Sequence, residues 1–255
     1  MFQTNERLVV ISIAEHPDVP LLTYLSKVAN VLLIRPMGKQ TIAKLDEEIG
    51  ERLNISPSFQ VRSLFGANNY IEVDKKQINS SGTEDLIRSF NPNCLITCGA
   101  PMLRKNIYKA APLAVNVHWG IAPQFRGADS IFWAMYHRQW DCIGLTLHQI
   151  DDGADTGLHY AKARPELCYE DTEAALWAKL ANLAPEMVGT FLSHLSRHTI
   201  KGVRPDNTIG RQYFYRDRVP EVEAELASRN GDGHPVPSMK HFEFYFEHSS
   251  ETAYT

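Results

Sequence analysis

The chain has little cysteine, no surplus of positive charge and no long apolar run, and each shortage removes a class of protein. Its four cysteines, Cys94, Cys98, Cys142 and Cys168, are scattered over 255 residues. Cys94 and Cys98 flank a strand-like LIT and have no partner at zinc spacing, so a reduced, cytoplasmic setting is the simplest account. No stretch approaches the ~18 apolar residues needed to cross a bilayer. The opening MFQTNERLVVIS has an acidic residue, a short apolar run and no small-residue cleavage site, unlike a signal peptide. No membrane partner is expected. The formal net charge of −4 and a pI near 6.2 argue against a protein that grips a nucleic-acid backbone through a basic face. With 44% hydrophobic and 22% charged residues, the composition is that of a globular chain with room for one large domain and an appendage.

What is present is an alternation of buried-strand and helix patterns. Leu8 to Ile13 (LVVISI), Val31 to Ile34 (VLLI) and Cys94 to Thr97 (CLIT) are short apolar, β-branched runs of the kind parallel strands show. Between them lie amphipathic helices. One opens at Pro20 and carries Leu21, Leu22, Leu25 and Val28; one carries Ile42, Leu45, Ile49 and Leu53 and ends near Ser56-Pro57-Ser58; one is capped by Thr83. Residues 60–82 read as a loop with one short strand. Helix 106–110, a helix entered at Asp129 or Ser130, and strands over 144–150 and 158–163 follow, the last antiparallel. A long helix begins at Asp171 or Thr172, and Pro185 is expected to bend or split it. The pattern predicts an α/β fold: an open, mainly parallel twisted sheet with helices on both faces, plus a small β-rich C-terminal extension. The expected division is 1–200 for the main domain and 201–255 for the extension, with GRQYFYRDRVP as a strand or hairpin, SRNGDGHPVP as a connector and HFEFYFEHSS alternating at the end.

One constellation carries chemistry. On the strand Leu113 to Trp119 (LAVNVHW), period-two alternation puts Asn116 and His118 on one face and Val115 and Val117 on the other. A polar pair at the end of an apolar strand needs a partner, and Asp155 is the candidate. Amide, imidazole and carboxylate together polarise a carbonyl, move a proton and orient the imidazole. The run Asp151-Asp152-Gly153-Ala154-Asp155 has calcium-loop composition but lacks the alternating ligands and closing glutamate of such a loop, so no metal is expected. Arg126-Gly127 reads either as a helix-entry turn or, through Arg126 beside a helix N-terminus, as an anion or substrate contact. Phe132, Trp133, Trp177 and Phe191 read as core. Histidines outside the motifs, among them His137, His194 and His198, read as surface. For Tyr213, Phe214 and Tyr215, stacking on a base, packing and dimerisation all stay open.

The ordered pieces Asn116-Val117-His118, Pro123-Gln124-Phe125-Arg126-Gly127, Gly144-Leu145-Thr146 and Asp155-Thr156-Gly157 resemble the folate-dependent formyltransferases, over roughly residues 94–160. The resemblance implies Asn116, His118 and Asp155 as the catalytic set and 10-formyltetrahydrofolate as the donor, leaving as tetrahydrofolate. It also implies a pterin site between Pro101, Met102 and Leu103 and the loop Asp151, Asp152, Gly153 and Ala154, with Arg126 and Gly127 near the acceptor. Purine-pathway members carry a glycine-rich phosphate loop after their first strand. Here that place reads Ala14-Glu15-His16-Pro17-Asp18. The tail after residue 200 reads as too short for the barrel of the tRNA-acting members. VHWGIAPQFRGADSIFW is similar instead to enzymes that formylate an amino sugar on a nucleotide carrier, which implies a nucleotide-sugar substrate and a homodimer paired through the tail. The rival readings are another amine acceptor (glycinamide ribonucleotide or an amino acid), a formyl-folate hydrolase, and a non-catalytic folate-binding scaffold.

Overall fold

The computed structural model describes residues 6–38, 43–56, 58–197, 199–229 and 238–246. The first five residues, Ile42, Pro57, His198, the connector over 230–237 and everything after 246 lie outside the described residues. In chain order the first half forms β1 (Arg7–Ile11), α1 (Val19–Val28), β2 (Asn30–Met37), α2 (Ala43–Arg52), β3 (Tyr70–Asp74), α3 (Ser81–Phe90), β4 (Cys94–Cys98), α4 (Lys105–Tyr108) and β5 (Ala114–His118). Then come β6 (Phe125–Gly127), α5 (Ser130–Tyr136), β7 (Leu145–Gln149), β8 (His159–Arg164), α6 (Glu173–Ser196), β9 (Arg211–Tyr213), α7 (Pro220–Ser228) and β10 (His241–Phe244).

One sheet has the order β10-β8-β7-β5-β4-β1-β2-β3. The pairings from β3 through β5 are parallel, and those from β5 to β7, β8 and β10 are antiparallel. Residues of β1 serve two cores in alternation. Leu8 and Val10 pack with Leu22 and Leu25 of α1, Ile49 of α2 and Leu180 of α6, while Val9 and Ile11 pack with Ile87 of α3 and Ile107 of α4. Helices therefore cover both faces, and a strand buried on both sides reads as an unbroken apolar run. The chain steps from β1 outward through β2 and β3, then returns to β4 on the opposite side. That reversal opens a crevice at the C-terminal ends of β1 and β4, where ligands of open α/β sheets bind.

Several local expectations need correction. Thr83 is not the cap of α3: Ser80 is, its hydroxyl accepting from the Thr83 amide at 3.3 Å, because the helix starts one turn earlier. Thr172 caps α6 through the Ala175 amide, and α6 continues as one helix through Pro185. Thirteen of its side chains are buried, so tertiary packing outweighs the single backbone bond that proline removes. Asp129 precedes α5 in the left-handed region, and its carboxylate turns to Arg218 instead of capping. Of the two readings of GRQYFYRDRVP, strand and hairpin, the strand is the one formed: the segment contributes β9, which pairs in parallel with β6, and leads into α7. Tyr213 is consequently 3% exposed and stacked on Trp133 at 4.4 Å, leaving Phe214 and Tyr215 as the exposed aromatics of that segment. Phe132, Trp133, Trp177 and Phe191 are buried as expected. Among the described residues no helix is long and apolar enough to cross a membrane.

Candidate active site

An open cleft of about 550 Å³ lies at the C-terminal ends of β1, β4 and β5. Register sets its floor. Asn116 on β5 stands between Thr97 on β4 and His148 on β7, and His118 stands opposite Thr146. The Thr97 hydroxyl donates to Asn116 Oδ1 at 2.7 Å, which turns the Asn116 Nδ2 group toward His148 Nε2 at 3.2 Å and Asp155 Oδ1 at 3.4 Å. His118 Nε2 lies 2.9 Å from the Phe125 carbonyl. A carbonyl only accepts, so this nitrogen carries the proton and Nδ1, 3.4 Å from Asp155 Oδ2, is the basic atom. His148 Nδ1 donates to the Gln149 carbonyl at 2.8 Å, and its Nε2 meets Asp155 Oδ1 at 3.1 Å.

Asp155 is the hub of this cluster. Its Oδ2 accepts the Gly127 amide at 2.7 Å. Burial alone would push its carboxyl up, but His118, His148 and the Gly127 amide together hold it well below the usual carboxylate range. Burial lowers the His118 imidazole below its ordinary value despite the nearby carboxylate. Asp155 thus faces a 5% exposed His118 whose cationic form is disfavoured by burial and favoured by the carboxylate. Such a pair accepts a proton at Nδ1 and immediately stabilises the cation that results.

The remaining expected residues distribute as follows. Pro101, Met102, Leu103, Asp151, Gly153 and Ala154 all line the cleft. Asp151 closes its own loop, accepting from the Gly153 amide at 3.0 Å and the Thr156 hydroxyl at 2.6 Å. Asp152 is exposed and turned aside, accepting from the Tyr108 hydroxyl at 2.6 Å. Gly127 lines the cleft; Arg126, one residue earlier on β6, is not among the lining residues, and its Nε is buried without a hydrogen-bond partner among the described residues. Among the described residues no group of three or more His, Cys, Asp or Glu is arranged to hold a metal ion.

His148 is the member of this cluster that the sequence does not single out. It was counted with the surface histidines, but it is 3% exposed and joins Asn116 to Asp155. The signal was present: His148 has the strand parity that faces Asn116 once β5 and β7 pair. His159 is buried as well, and burial pushes its imidazole down to about 3. Arg218 was also overlooked. Its guanidinium binds both oxygens of Glu173 at 2.9 Å, meets Glu223 at 2.8 Å and Asp129 at 3.3 Å, and lies 4.0 Å over the Phe132 ring. It pins the segment after β9 to the helices behind the cleft.

An open α/β sheet with an amide, an imidazole and a carboxylate meeting beside its switch point has the make-up of an enzyme that handles a carbonyl group. The chain belongs to the formyl transferase family, whose description matches residues 42–192. It is 27% identical over 179 residues to a methionyl-tRNA formyltransferase of Kosmotoga olearia, an alignment covering 69% of this chain and 55% of that protein. The chain therefore spans about half the length of this curated relative. In fold it is similar to a sugar N-formyltransferase from a Shewanella strain, with a TM-score of 0.62 and 10% identity over 92% of this chain and 96% of that one. It is also similar to the formyltransferase PseJ of Anoxybacillus kamchatkensis, whose structure holds UDP-4,6-dideoxy-4-formamido-L-AltNAc and tetrahydrofolate. There the TM-score is 0.52, with 16% identity over 91% and 95% of the two chains.

Proposed function

We propose that the chain transfers the formyl group of 10-formyltetrahydrofolate to the amine of a nucleotide-linked amino sugar. The convergence of Asn116, His118 and Asp155 on one cleft carries this reading. The cleft suits a folate: Pro101, Met102 and Leu103 line one part of it and Ile150, Asp151, Gly153 and Ala154 another, apolar surface with a few polar groups. Support for the acceptor comes from the sugar N-formyltransferases of similar fold, which this chain matches over nearly its whole described length, and from acidic rather than glycine-rich residues after β1.

The bound donor supplies an electrophilic formyl carbon. Asn116 Nδ2 donates toward the formyl oxygen, where negative charge develops; one such donor is worth about 2.7–4 kcal/mol. His118 Nδ1 takes the proton of the incoming amine and later returns it toward the departing folate nitrogen. Asp155 stabilises the transient imidazolium, and His148 and Gly127 hold Asp155 in place.

Turnover against a panel of dTDP-, UDP- and GDP-linked amino sugars, with methionyl-tRNA and glycinamide ribonucleotide alongside, tests the reading. Formylation of at least one nucleotide-linked sugar ahead of both other acceptors is expected. Faster formylation of methionyl-tRNA overturns the acceptor assignment, and absence of folate-dependent transfer to any amine overturns the activity.

A further inference from the structure

The transfer chemistry leaves a buried carboxyl of the cleft unused. Asp18 follows β1 in the turn that opens α1; it is 2% exposed, yet it forms part of the cleft wall. Its Oδ2 accepts from the Ser12 hydroxyl at 2.7 Å, and Ser12 Oγ accepts from the Ala14 amide at 2.8 Å, so the backbone at the end of β1 aims the carboxyl. Gly99 faces it from the end of β4. A Cβ at Gly99 would lie 2.7 Å from Asp18 Oδ2, and the Gly99 φ of +51° suits glycine. The fold thus keeps the carboxyl's surroundings narrow and fixed.

Electrostatics at this end disfavour an anion. Burial, opposed by the Ser12 bond and reinforced by Glu15 and Asp46, pushes the Asp18 carboxyl up to about 7. Apart from the reacting cluster, the charged side chains lining the cleft are Glu15, Asp18, Asp129 and Asp151 against Lys75. A phosphate placed here would face like charge in a low dielectric, whereas a hydroxyl or amine would donate a charge-assisted hydrogen bond. Strand register gives the reach. Asp18 Oδ2 lies beside Gly99 at the end of β4, and Thr97 and Cys98 of β4 pair with Asn116 and Val117 of β5, so the carboxyl stands about one to two strand spacings, ~5–10 Å, from the reacting centre.

We propose that Asp18, steadied by Ser12, is a specificity-determining residue that takes a hydroxyl or amino group of the acceptor at about one to two strand spacings from the reacting amine and turns a phosphate away. In a nucleotide-linked sugar, a ring hydroxyl fills this place and the diphosphate runs elsewhere. The inference rests on the formyl-transfer reading, but not on the identity of the carrier.

Straight-chain primary amines of graded length, ending in methyl, hydroxyl, a second amine or phosphate, test it as acceptors at saturating 10-formyltetrahydrofolate. At chain lengths near that span, hydroxyl- and amine-ended acceptors should exceed the methyl-ended one in kcat/KM by on the order of fivefold, the worth of one hydrogen bond, and phosphate-ended ones should fall below it. Asp18→Ala should bring all neutral and cationic ends to one level while tetrahydrofolate affinity, read by calorimetry, stays within about twofold, as expected for a side chain outside the two walls proposed for the folate. Asp18→Asn keeps the shape and the Ser12 bond; it should retain the hydroxyl preference and lose the amine preference, which tells the two kinds of end apart. No terminal preference at any length in the native protein, its survival in Asp18→Ala, or a parallel loss of folate affinity overturns the assignment. A clear preference in this series, with every nucleotide-linked sugar left unformylated, overturns the carrier alone.

Discussion

Gly127 donates its amide to Asp155 Oδ2 across 2.7 Å, a bond between stretches 28 residues apart. It ties Arg126-Gly127 to Asp155-Thr156-Gly157: the glycine amide aims the carboxylate. Gly127 has φ +85°, and a Cβ there would run into the Tyr213 carbonyl oxygen of the paired β9. Gly127→Ala should therefore cost roughly 1–3 kcal/mol of stability, the scale of a strained backbone position. It should also lower turnover more than tenfold, because the backbone shift that relieves the collision carries the main-chain donor away from Asp155. Thermal melting and steady-state rates read the two effects; an unchanged turnover would mean that the Gly127 bond does not position Asp155.

His118→Asn and Asp155→Asn should each cut turnover by about two orders of magnitude or more, the range of a positioned acid–base group. Tetrahydrofolate binding should persist, since neither side chain belongs to the loop wall, and calorimetry in the presence of a chelator gives that control. His148→Gln should show a smaller loss, because a side-chain amide can still meet Asn116 and Asp155 while the bond to Gln149 is lost. Near-normal turnover in a folded His118 or Asp155 variant would remove these residues from the catalytic set.

The rate should depend on pH with a defined sign. Burial lowers the His118 pKa, so the neutral base persists to more acid pH than a free imidazole would allow. kcat/KM should rise with pH through an apparent value below ~6.5, the ordinary imidazole value, and be flat at neutrality. Asp155 stays ionised throughout that window. Because the native state disfavours the imidazolium, this histidine also costs stability as pH falls below its unfolded value. In Asp155→Asn the acid limb of the residual rate should move to lower pH. A limb above 7 would rule out a neutral, buried His118 as the base.

Arg218 is paired with Glu173, Asp129 and Glu223 while its own side chain is 8% exposed. Arg218→Ala strands two mostly buried carboxylates and should destabilise by about 3–5 kcal/mol. Burial already raises the pKa of Asp129 and of Glu173 against the pull of Arg218. Without that pull both protonate more readily, so the loss should be larger at pH 8 than at pH 5. Chemical denaturation at the two pH values measures it, and adding Glu173→Gln should recover part of the loss. Equal losses at both pH values would show that the carboxylates escape to solvent.

The sequence by itself determined the elements and the chemistry. Apolar runs with strand length and helices with three-to-four spacing depend only on near neighbours, and period-two alternation alone put Asn116 and His118 on one face. The identity of Asp155 as their partner was legible from residue type and motif order. Tertiary structure decided what depends on pairing between distant strands. His148 became a member of the site because β7 runs antiparallel to β5 with Asn116 as its register partner. Tyr213 became core because β9 pairs with β6 rather than folding into a hairpin. Asp18 became part of the cleft because β1 and β4 lie side by side while the chain between them forms two other strands. Such contacts join residues tens of positions apart, and no local period encodes which of many compatible partners a buried polar group will meet.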